Sequence, residues 1–134
     1  MTTTERPPRL TTLVFDGTCG FCTRSVRLLE ALDRHRRVRA VPSQNRGVLV
    51  SLGLTVEESE ETAWTITPDG GRYRGAEAAN AALAAVLGSA LPLLLYSLPG
   101  VKQFQDFVYR LVASNRGMLP GDRPFCAQHP AECR

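Results

Sequence analysis

The chain has 134 residues, of which 43% are apolar and 22% charged, and its formal net charge is +3. This length suits one domain with its own hydrophobic core, and the composition excludes a disordered chain. The positive charges come from fifteen arginines and one lysine, which cluster only at residues 34–39 and have no interleaved aromatic residues. We therefore expect a solvated helix end there and no nucleic-acid partner.

The first residues, 1–9 (MTTTERPPR), are polar and include two adjacent prolines. This composition predicts a flexible leader. It lacks the basic start and apolar run of a secretory signal, so we expect a cytoplasmic protein, in which thiols are mostly kept reduced. The four cysteines are then more typical of reactive or metal-binding residues than of a passive disulfide framework.

The first half of the chain predicts a strand, a helix and a second strand. Residues 10–15 (LTTLVF) are an apolar run typical of a buried strand. Residues 19–35 have helical spacing, with one apolar stripe formed by Cys22, Val26, Leu29 and Leu32. Residues 38–41 predict the second strand, and residues 47–54 predict a short helix. A strand–helix–strand unit takes a right-handed crossover, so the two strands should be parallel.

The middle of the chain predicts an antiparallel hairpin. The acidic residues 57–61 are expected to be exposed. In residues 63–67 (AWTIT), Trp64 and Ile66 share one face, and Trp64 is expected in the core. Strong turn residues follow, after which residues 72–74 can return as a paired strand.

The last part of the chain predicts helices. Residues 76–87 are alanine-rich and end at Gly88. A further amphipathic helix has an apolar stripe made of Val101, Phe104, Phe107, Val108, Leu111 and Val112. Residues 78–101 form an uncharged segment that is long enough to cross a bilayer, but prolines and Gly88-Ser89 interrupt this segment. We therefore predict two helices on the sheet, with membrane contact as the lesser alternative.

Taken in order, these elements are those of thioredoxin, an α/β fold with a short mixed sheet between helices. We predict a thioredoxin-like core at residues 10–88, a helical extension at 89–118 and a cysteine-containing tail at 119–134.

A C-x-x-C pair, Cys19 and Cys22, stands where the first strand gives way to the first helix. Unpaired N–H groups and the helix dipole favour a thiolate there, and the pKa of cysteines in such places falls to roughly 3.5–7.5. Cys22 lies on the apolar stripe, whereas Cys19 precedes the first full turn and should be more exposed. We therefore predict that Cys19 attacks a substrate disulfide and that Cys22 resolves the mixed disulfide. Gly17 and Gly20 are expected to let backbone and substrate approach closely.

Asp16 follows the first strand and lies close to both cysteines in sequence. It is either a proton acceptor for Cys22 or a turn residue that binds backbone N–H groups ahead of the helix. The sequence leaves both roles open.

Residues 14–22 (VFDGTCGFC), followed by Ser25-Val26-Arg27, resemble the DCC family of thiol–disulfide oxidoreductases, which is named for its Asp, Cys and Cys. Residues 109–116 (YRLVASNR) are similar to the C-terminal helix of that family. The resemblance implies a thioredoxin-like fold and redox activity through Cys19 and Cys22, with Asp16 as the third signature residue. It implies no particular substrate.

The chain departs from thioredoxins proper before its predicted third strand. Thioredoxins carry a cis-proline there, which faces the active site and helps to bind substrate, whereas this chain has Glu61-Thr62. Substrate binding in the thioredoxin manner is therefore not expected.

A second pair, Cys126 and Cys133, brackets His129 near the end of the chain. Three interpretations remain open: a loose tail with two incidental thiols, a redox or local disulfide pair, and a zinc site. The zinc site would use Cys19, Cys22, Cys126 and either His129 or Cys133.

Further residues could approach the redox pair. Ser43 and Gln44 follow the second strand and could line a cleft at the carboxyl ends of the strands. Tyr109 and Arg110 could reach the site from the late helix. The function predicted is thiol–disulfide exchange without a cofactor, acting on a disulfide-bearing protein or small molecule and supplied by a cellular dithiol reductant. The alternative is a zinc-binding structural or interaction module.

Overall fold

A computed structural model describes residues 10–133 of the chain. The predicted leader, residues 1–9, lies outside the described residues. The strands are β1 (Thr11–Phe15), β2 (Val38–Pro42), β3 (Trp64–Ile66) and β4 (Arg72–Arg74). The helices are α1 (Gly20–Leu32), α2 (Arg46–Leu52), α3 (Val56–Glu61), α4 (Ala76–Leu87), α5 (Leu91–Tyr96), α6 (Val101–Asn115) and α7 (Phe125–Gln128), with short 3₁₀ turns at Arg116–Met118 and Pro130–Cys133.

The four strands form one mixed sheet in the order β2-β1-β3-β4. Strands β1 and β2 are parallel, with Leu13 opposite Ala40, and α1 is the crossover between them. Strand β3 runs antiparallel to both β1 and β4. This is the predicted thioredoxin-like α/β fold, and it places the start of α1 at the carboxyl end of the central strand β1.

The core lies on both faces of the sheet because alternate residues of β1 point in opposite directions. Val14 belongs to one cluster, together with Val41, Leu49, Leu52, Leu54, Trp64 and Ile66. Leu13 and Phe15 belong to the other, together with Val26 and Ala82. Trp64 is a core residue, as predicted. Residues 16–22, which include Cys19 and Cys22 and are called the redox motif below, follow Phe15 directly. The motif is therefore anchored by the second cluster.

Helix α1 ends at Leu32, three residues before the predicted end. Asp33 stops it, because its carboxylate accepts the backbone N–H groups of Arg37 and Val38, each at 2.9 Å. These bonds turn the chain directly into β2. The arginine-rich segment that follows is mostly exposed, as expected.

The acidic segment at residues 57–61 belongs to a helix, α3, that the sequence interpretation missed. A capping box starts this helix: Thr55 Oγ1 accepts the Glu58 N–H at 3.1 Å, and Glu58 Oε1 accepts the Thr55 N–H at 2.9 Å. Ser59 of this helix is buried. The expectation of a wholly exposed segment is therefore wrong.

Helices α4 and α6 differ although both were predicted. Helix α4 has the predicted bounds, ends at Gly88 with φ 66°, and buries six of its residues. Helix α6 buries none, and Phe104 and Phe107 of its apolar stripe are 68% and 61% exposed. Among residues 10–133, no helix has the length and apolar character needed to cross a bilayer.

Candidate active site

The sulfur of Cys19 caps the first turn of α1. Cys19 is the N-cap residue, with extended backbone angles (φ −97°, ψ 119°), and its Sγ accepts the Cys22 backbone N–H at 3.2 Å. An N-cap acceptor satisfies one of the N–H groups that a helix start leaves unpaired. The helix dipole adds a positive partial charge at the same place. The sulfur of Cys19 thus lies at the positive end of α1 as a hydrogen-bond acceptor.

Cys22 has a different environment, although both cysteines are partly exposed and neither is in a disulfide. Its side chain packs against the core cluster that contains Phe15 and Val26. Burial, followed by the hydrogen bond and charge of Cys19, raises the pKa of Cys22 to about 12, and the Arg116 guanidinium opposes this shift. Cys22 is thus held as a neutral thiol beside the Cys19 sulfur.

Arg116 connects Cys22 to Asp16. It lies just after α6, with Nη1 3.7 Å from Cys22 Sγ and Nη2 3.0 Å from Asp16 Oδ2. The sequence interpretation did not identify Arg116 as a site residue. The available signal was its place at the end of the stretch that is similar to the family's C-terminal helix, since nothing local to Arg116 connects it with Asp16, one hundred positions away.

Asp16 organises the turn that leads into the helix. Its Oδ1 accepts the Thr18 N–H at 2.9 Å, the Thr18 hydroxyl at 2.7 Å and Gln44 Nε2 at 3.0 Å. Burial opposes ionisation of this carboxyl, but the bonds from Thr18 and Gln44, together with Arg116, outweigh burial and lower its pKa. Asp16 thus makes the contacts expected of a turn residue ahead of the helix.

A cleft of about 690 Å³ opens beside this motif. Its wall includes Cys22, Ser43, Gln44, Tyr109 and Arg116, together with apolar residues of β1, α1 and α6. Ser43, Gln44 and Tyr109 thus line it as predicted, whereas Arg110 and Cys19 are not among its lining residues. The cleft gives access to the side of the motif that carries Cys22.

The segment that enters β3 is held by Tyr109. The Tyr109 hydroxyl lies 2.9 Å from Thr62 Oγ1 and accepts the Ala63 N–H at 3.2 Å. No peptide bond in residues 10–133 is cis. A helix-borne tyrosine thus holds the place where thioredoxins carry their cis-proline.

The C-terminal tail packs on the redox motif, which rules out the interpretation of a loose tail. The Asp122 N–H donates to the Gly20 carbonyl at 3.0 Å, and the Cys126 N–H donates to the Gly17 carbonyl at 2.9 Å. The ring of Phe125 meets Phe15 edge-on, with centroids 5.4 Å apart. The sequence interpretation missed this contact because the partners are about a hundred residues apart.

The tail also explains the glycines of the motif. A Cβ at Gly20 would lie 2.6 Å from the Asp122 carbonyl oxygen, and a Cβ at Gly17 would lie 2.5 Å from Cys126 Sγ. Neither position has room for a side chain. The expected close approach of backbone at these glycines is therefore confirmed, and the backbone that approaches them is that of the tail.

Cys126 and Cys133 form a disulfide, with Cα atoms 5.7 Å apart. Neither tail sulfur is then available as a thiolate for the zinc site that the sequence allowed. In the part of the chain that the structure describes, residues 10–133, no three His, Cys, Asp or Glu side chains lie together as a metal site would require. The disulfide interpretation of the second pair is the one that the structure bears out.

Comparison with known proteins identifies one family. The family model described as DCC1-like thiol-disulfide oxidoreductase matches residues 13–122, which include Asp16, Cys19, Cys22 and Arg116. No match to the chain was found among curated proteins or among solved structures. Since the family model covers most of the chain, the protein belongs to the DCC1-like thiol-disulfide oxidoreductase family.

Proposed function

We propose that the chain catalyses dithiol–disulfide exchange, with Cys19 as the attacking thiolate and Cys22 as the resolving thiol. The observation that carries this proposal is the asymmetry of the pair. Cys19 Sγ accepts a backbone N–H at the start of α1, whereas Cys22 is packed in the core and has a raised pKa. One sulfur is prepared to act as a nucleophile while the other is kept protonated.

In the first step, the Cys19 thiolate attacks one sulfur of a substrate disulfide. A bond forms between Cys19 Sγ and that sulfur, the substrate S–S bond breaks, and the second substrate sulfur leaves as a thiolate. The positive end of α1 stabilises Cys19 before the attack. No cofactor takes part, because the electron pair moves between sulfur atoms.

In the second step, Cys22 loses its proton and attacks Cys19 Sγ. This attack forms the Cys19–Cys22 disulfide and expels the remaining substrate thiolate, which can take up the proton. Once Cys19 is in the mixed disulfide its negative charge is gone, so one reason for the raised pKa of Cys22 disappears. Arg116 is then the nearby charge that favours the Cys22 thiolate, and Asp16 holds Arg116 in place.

The same chemistry defines the partners by class. The substrate is a disulfide-bearing protein or small molecule, and a cellular dithiol returns the Cys19–Cys22 disulfide to the dithiol. The lowered pKa of Asp16 supports a positioning role for this residue through Arg116 rather than a role as a base.

Two single variants test the assignment of the roles. After reduction and addition of a small disulfide such as oxidised glutathione, Cys22→Ser should accumulate a mixed disulfide at Cys19, because the resolving sulfur is missing. Cys19→Ser should form none at neutral pH, since Cys22 stays protonated. Peptide mapping by mass spectrometry identifies the modified cysteine. A mixed disulfide at Cys22 of the Cys19→Ser variant would reverse the roles, and inert Cys19 in a folded protein would contradict the proposal.

The role of Arg116 can be measured in the second step alone. We expect Arg116→Gln to slow resolution of a preformed Cys19 mixed disulfide by about tenfold, which corresponds to one pKa unit of thiolate stabilisation, and to shift its pH dependence upward. Arg116→Lys should retain part of the effect. The matched control is Arg110→Gln. Arg110 is an arginine of α6, and its side chain donates to the Asp106 carbonyl of the same helix rather than to the motif. Equal resolution rates in Arg116→Gln and the wild type would exclude this role.

A further inference from the structure

The proposed function leaves the tail disulfide unused, although it lies against the redox motif. The Cys126 N–H donates to Gly17, two residues before Cys19, and Cys126 Sγ occupies the space where a side chain of residue 17 would begin. The same sulfur lies 3.7 Å from Gln44 Oε1. Gln44 in turn accepts the Gly17 N–H and donates to Asp16. One sulfur of the tail is thus part of the surroundings of the motif.

The tail is also tied to the first turn of α1. The Phe125 N–H donates to Thr23 Oγ1 at 3.0 Å, and the Thr23 hydroxyl donates to the Cys19 carbonyl at 2.9 Å. Arg27 of α1 binds Asp122 at 3.2 Å and also contacts Gln128. These contacts lie on both sides of Cys126 in the chain. They hold its sulfur beside the motif rather than at a distance from it.

Cys19 lies two residues from the point where the tail meets the motif. Two residues span at most about 7 Å, so the Cα of Cys19 lies no farther than that from the Cα of Gly17, which Cys126 touches. The chain between them is further folded by a turn, in which the Cys19 N–H donates to the Asp16 carbonyl at 3.2 Å. A disulfide needs Cα atoms about 4.4–6.8 Å apart. A bond between Cys19 and Cys126 requires the tail and the motif to bring these two Cα atoms to that separation.

We propose that the Cys126–Cys133 disulfide is an internal electron acceptor for the Cys19–Cys22 dithiol, which makes the tail a second redox site of the chain. The inference rests on the proposed function, because it uses Cys19 as the nucleophile. Cys19 attacks Cys126 Sγ, the Cys126–Cys133 bond breaks, and Cys133 leaves as a thiolate. Cys22 then loses its proton to Cys133 or to solvent and attacks Cys19 Sγ, which breaks the Cys19–Cys126 bond and releases Cys126 as a thiolate. The products are a Cys19–Cys22 disulfide and a tail dithiol, so two electrons have moved within the chain.

The tail dithiol would pass these electrons on to an external disulfide. Cys133 is partly exposed, and it lies in a short 3₁₀ turn near the end of the chain whose other residues are exposed. A disulfide on a partner can therefore meet Cys133 without entering the 690 Å³ cleft. By this route the chain receives electrons at the Cys19–Cys22 pair and passes them to a partner disulfide at the tail.

The test uses the full chain with Cys22→Ser, prepared with Cys19 reduced and the tail disulfide intact. Without added oxidant, Cys19 should become linked to Cys126, with Cys133 released as a free thiol. Alkylation of free thiols followed by non-reducing peptide mapping detects the link. Because the transfer is intramolecular, its rate should not change on dilution of the protein. The control Cys22→Ser/Cys133→Ser has no tail disulfide and should form no such link.

Two further readouts separate this inference from the proposed function. If Cys22→Ser reacts at Cys19 with added oxidised glutathione but never links to the tail, the proposed function stands and the internal transfer is excluded. If Cys19 reacts with neither, the proposed function itself fails. The wild type provides a measurement that does not depend on the folding of the variant: internal transfer would appear as a Cys19–Cys22 disulfide with alkylated Cys126 and Cys133, and a persistent tail disulfide beside a reduced motif would contradict it.

Discussion

The two cysteine pairs are held by different means. Cys19 and Cys22 lie at the start of a 13-residue helix, where the Cys19 sulfur accepts a backbone N–H and burial raises the pKa of Cys22 against the charge of Arg116. Cys126 and Cys133 lie in a tail whose helix α7 has only four residues and buries none of them. There a covalent bond and contacts to the motif supply the order that the local structure lacks. The surroundings of the first pair thus come from the helix that carries it, and the order of the second pair comes from its disulfide and its contacts to the motif.

The pairs meet at the backbone of Gly17 and Gly20. Both glycine carbonyls accept N–H groups of the tail, and neither glycine has room for a Cβ. The motif is therefore enclosed between the tail and the cleft lined by Cys22. This arrangement makes the comparison testable, since each pair can be altered while the other is observed.

The largest expected effect comes from removing the tail disulfide. In Cys126→Ser/Cys133→Ser, the closed loop of the tail is lost, which by chain entropy corresponds to roughly 2.5 kcal/mol of unfolding free energy. Urea denaturation measures this loss. Hydrogen exchange should speed up at the Asp122 and Cys126 amides, which bind the glycine carbonyls, before it does in the sheet. Unchanged stability and protection would mean that contacts alone hold the tail.

The fold could be predicted from the sequence because its signals are local. The apolar run of β1, the alternation in β3 and the Gly88 stop of α4 rest on residues next to one another in the chain. The miss at α3 is of the same kind, since the Thr55–Glu58 capping box was present in the sequence. The apolar stripe of α6 predicted a helix correctly, but periodicity does not state what covers a face, and Phe104 and Phe107 remain exposed.

The site was predicted only in its local part. Cys19, Cys22 and Asp16 could be selected because a short motif lies between a strand and a helix. Arg116 and the tail reach this motif from the far end of the chain, and one sequence contains no signal that pairs positions about a hundred residues apart. Gly17 and Gly20 were correctly predicted to allow close approach of backbone, but the sequence did not indicate that this backbone is the tail, for the same reason. The catalytic roles of these residues remain proposals that the variants above test.

A smaller effect should follow from forcing the tail away from the motif. Gly20→Ala puts a Cβ 2.6 Å from the Asp122 carbonyl oxygen, and such overpacking costs about 2 kcal/mol. The sign of the change in unfolding free energy is informative. Gly20 is the first residue of α1, so a substitution by alanine would stabilise the helix if the tail did not contact this position. The control is Gly117→Ala, since a Cβ there meets no atom within 4 Å. Chemical denaturation should show a lower free energy of unfolding for Gly20→Ala and no such decrease for Gly117→Ala. A Gly20→Ala variant that is more stable than the wild type would contradict the docking of the tail.

The smallest effect concerns the pH dependence of stability. The pKa of Cys22 is raised from 9.0 to about 12, so the folded state holds this proton more tightly than the unfolded state. The resulting stability is complete below pH 9 and is lost as the pH rises toward 12. Since Cys22 is partly exposed, solvent screening keeps this loss small. The oxidised tail pair does not titrate and therefore contributes nothing to this decline.

Urea denaturation of the wild type and of Cys22→Ser between pH 8 and pH 11 measures this difference, with a shallower decline expected for the variant. Tyr96→Phe is the matched reference, because burial and the bond to Asp106 raise the pKa of Tyr96 to about 12 as well. Each substitution should remove its own share of the decline, and the two shares should add, since the groups lie in different parts of the fold. Identical slopes in Cys22→Ser and the wild type would mean that Cys22 keeps an ordinary thiol pKa, and the asymmetry that supports the proposed roles of the two cysteines would be lost.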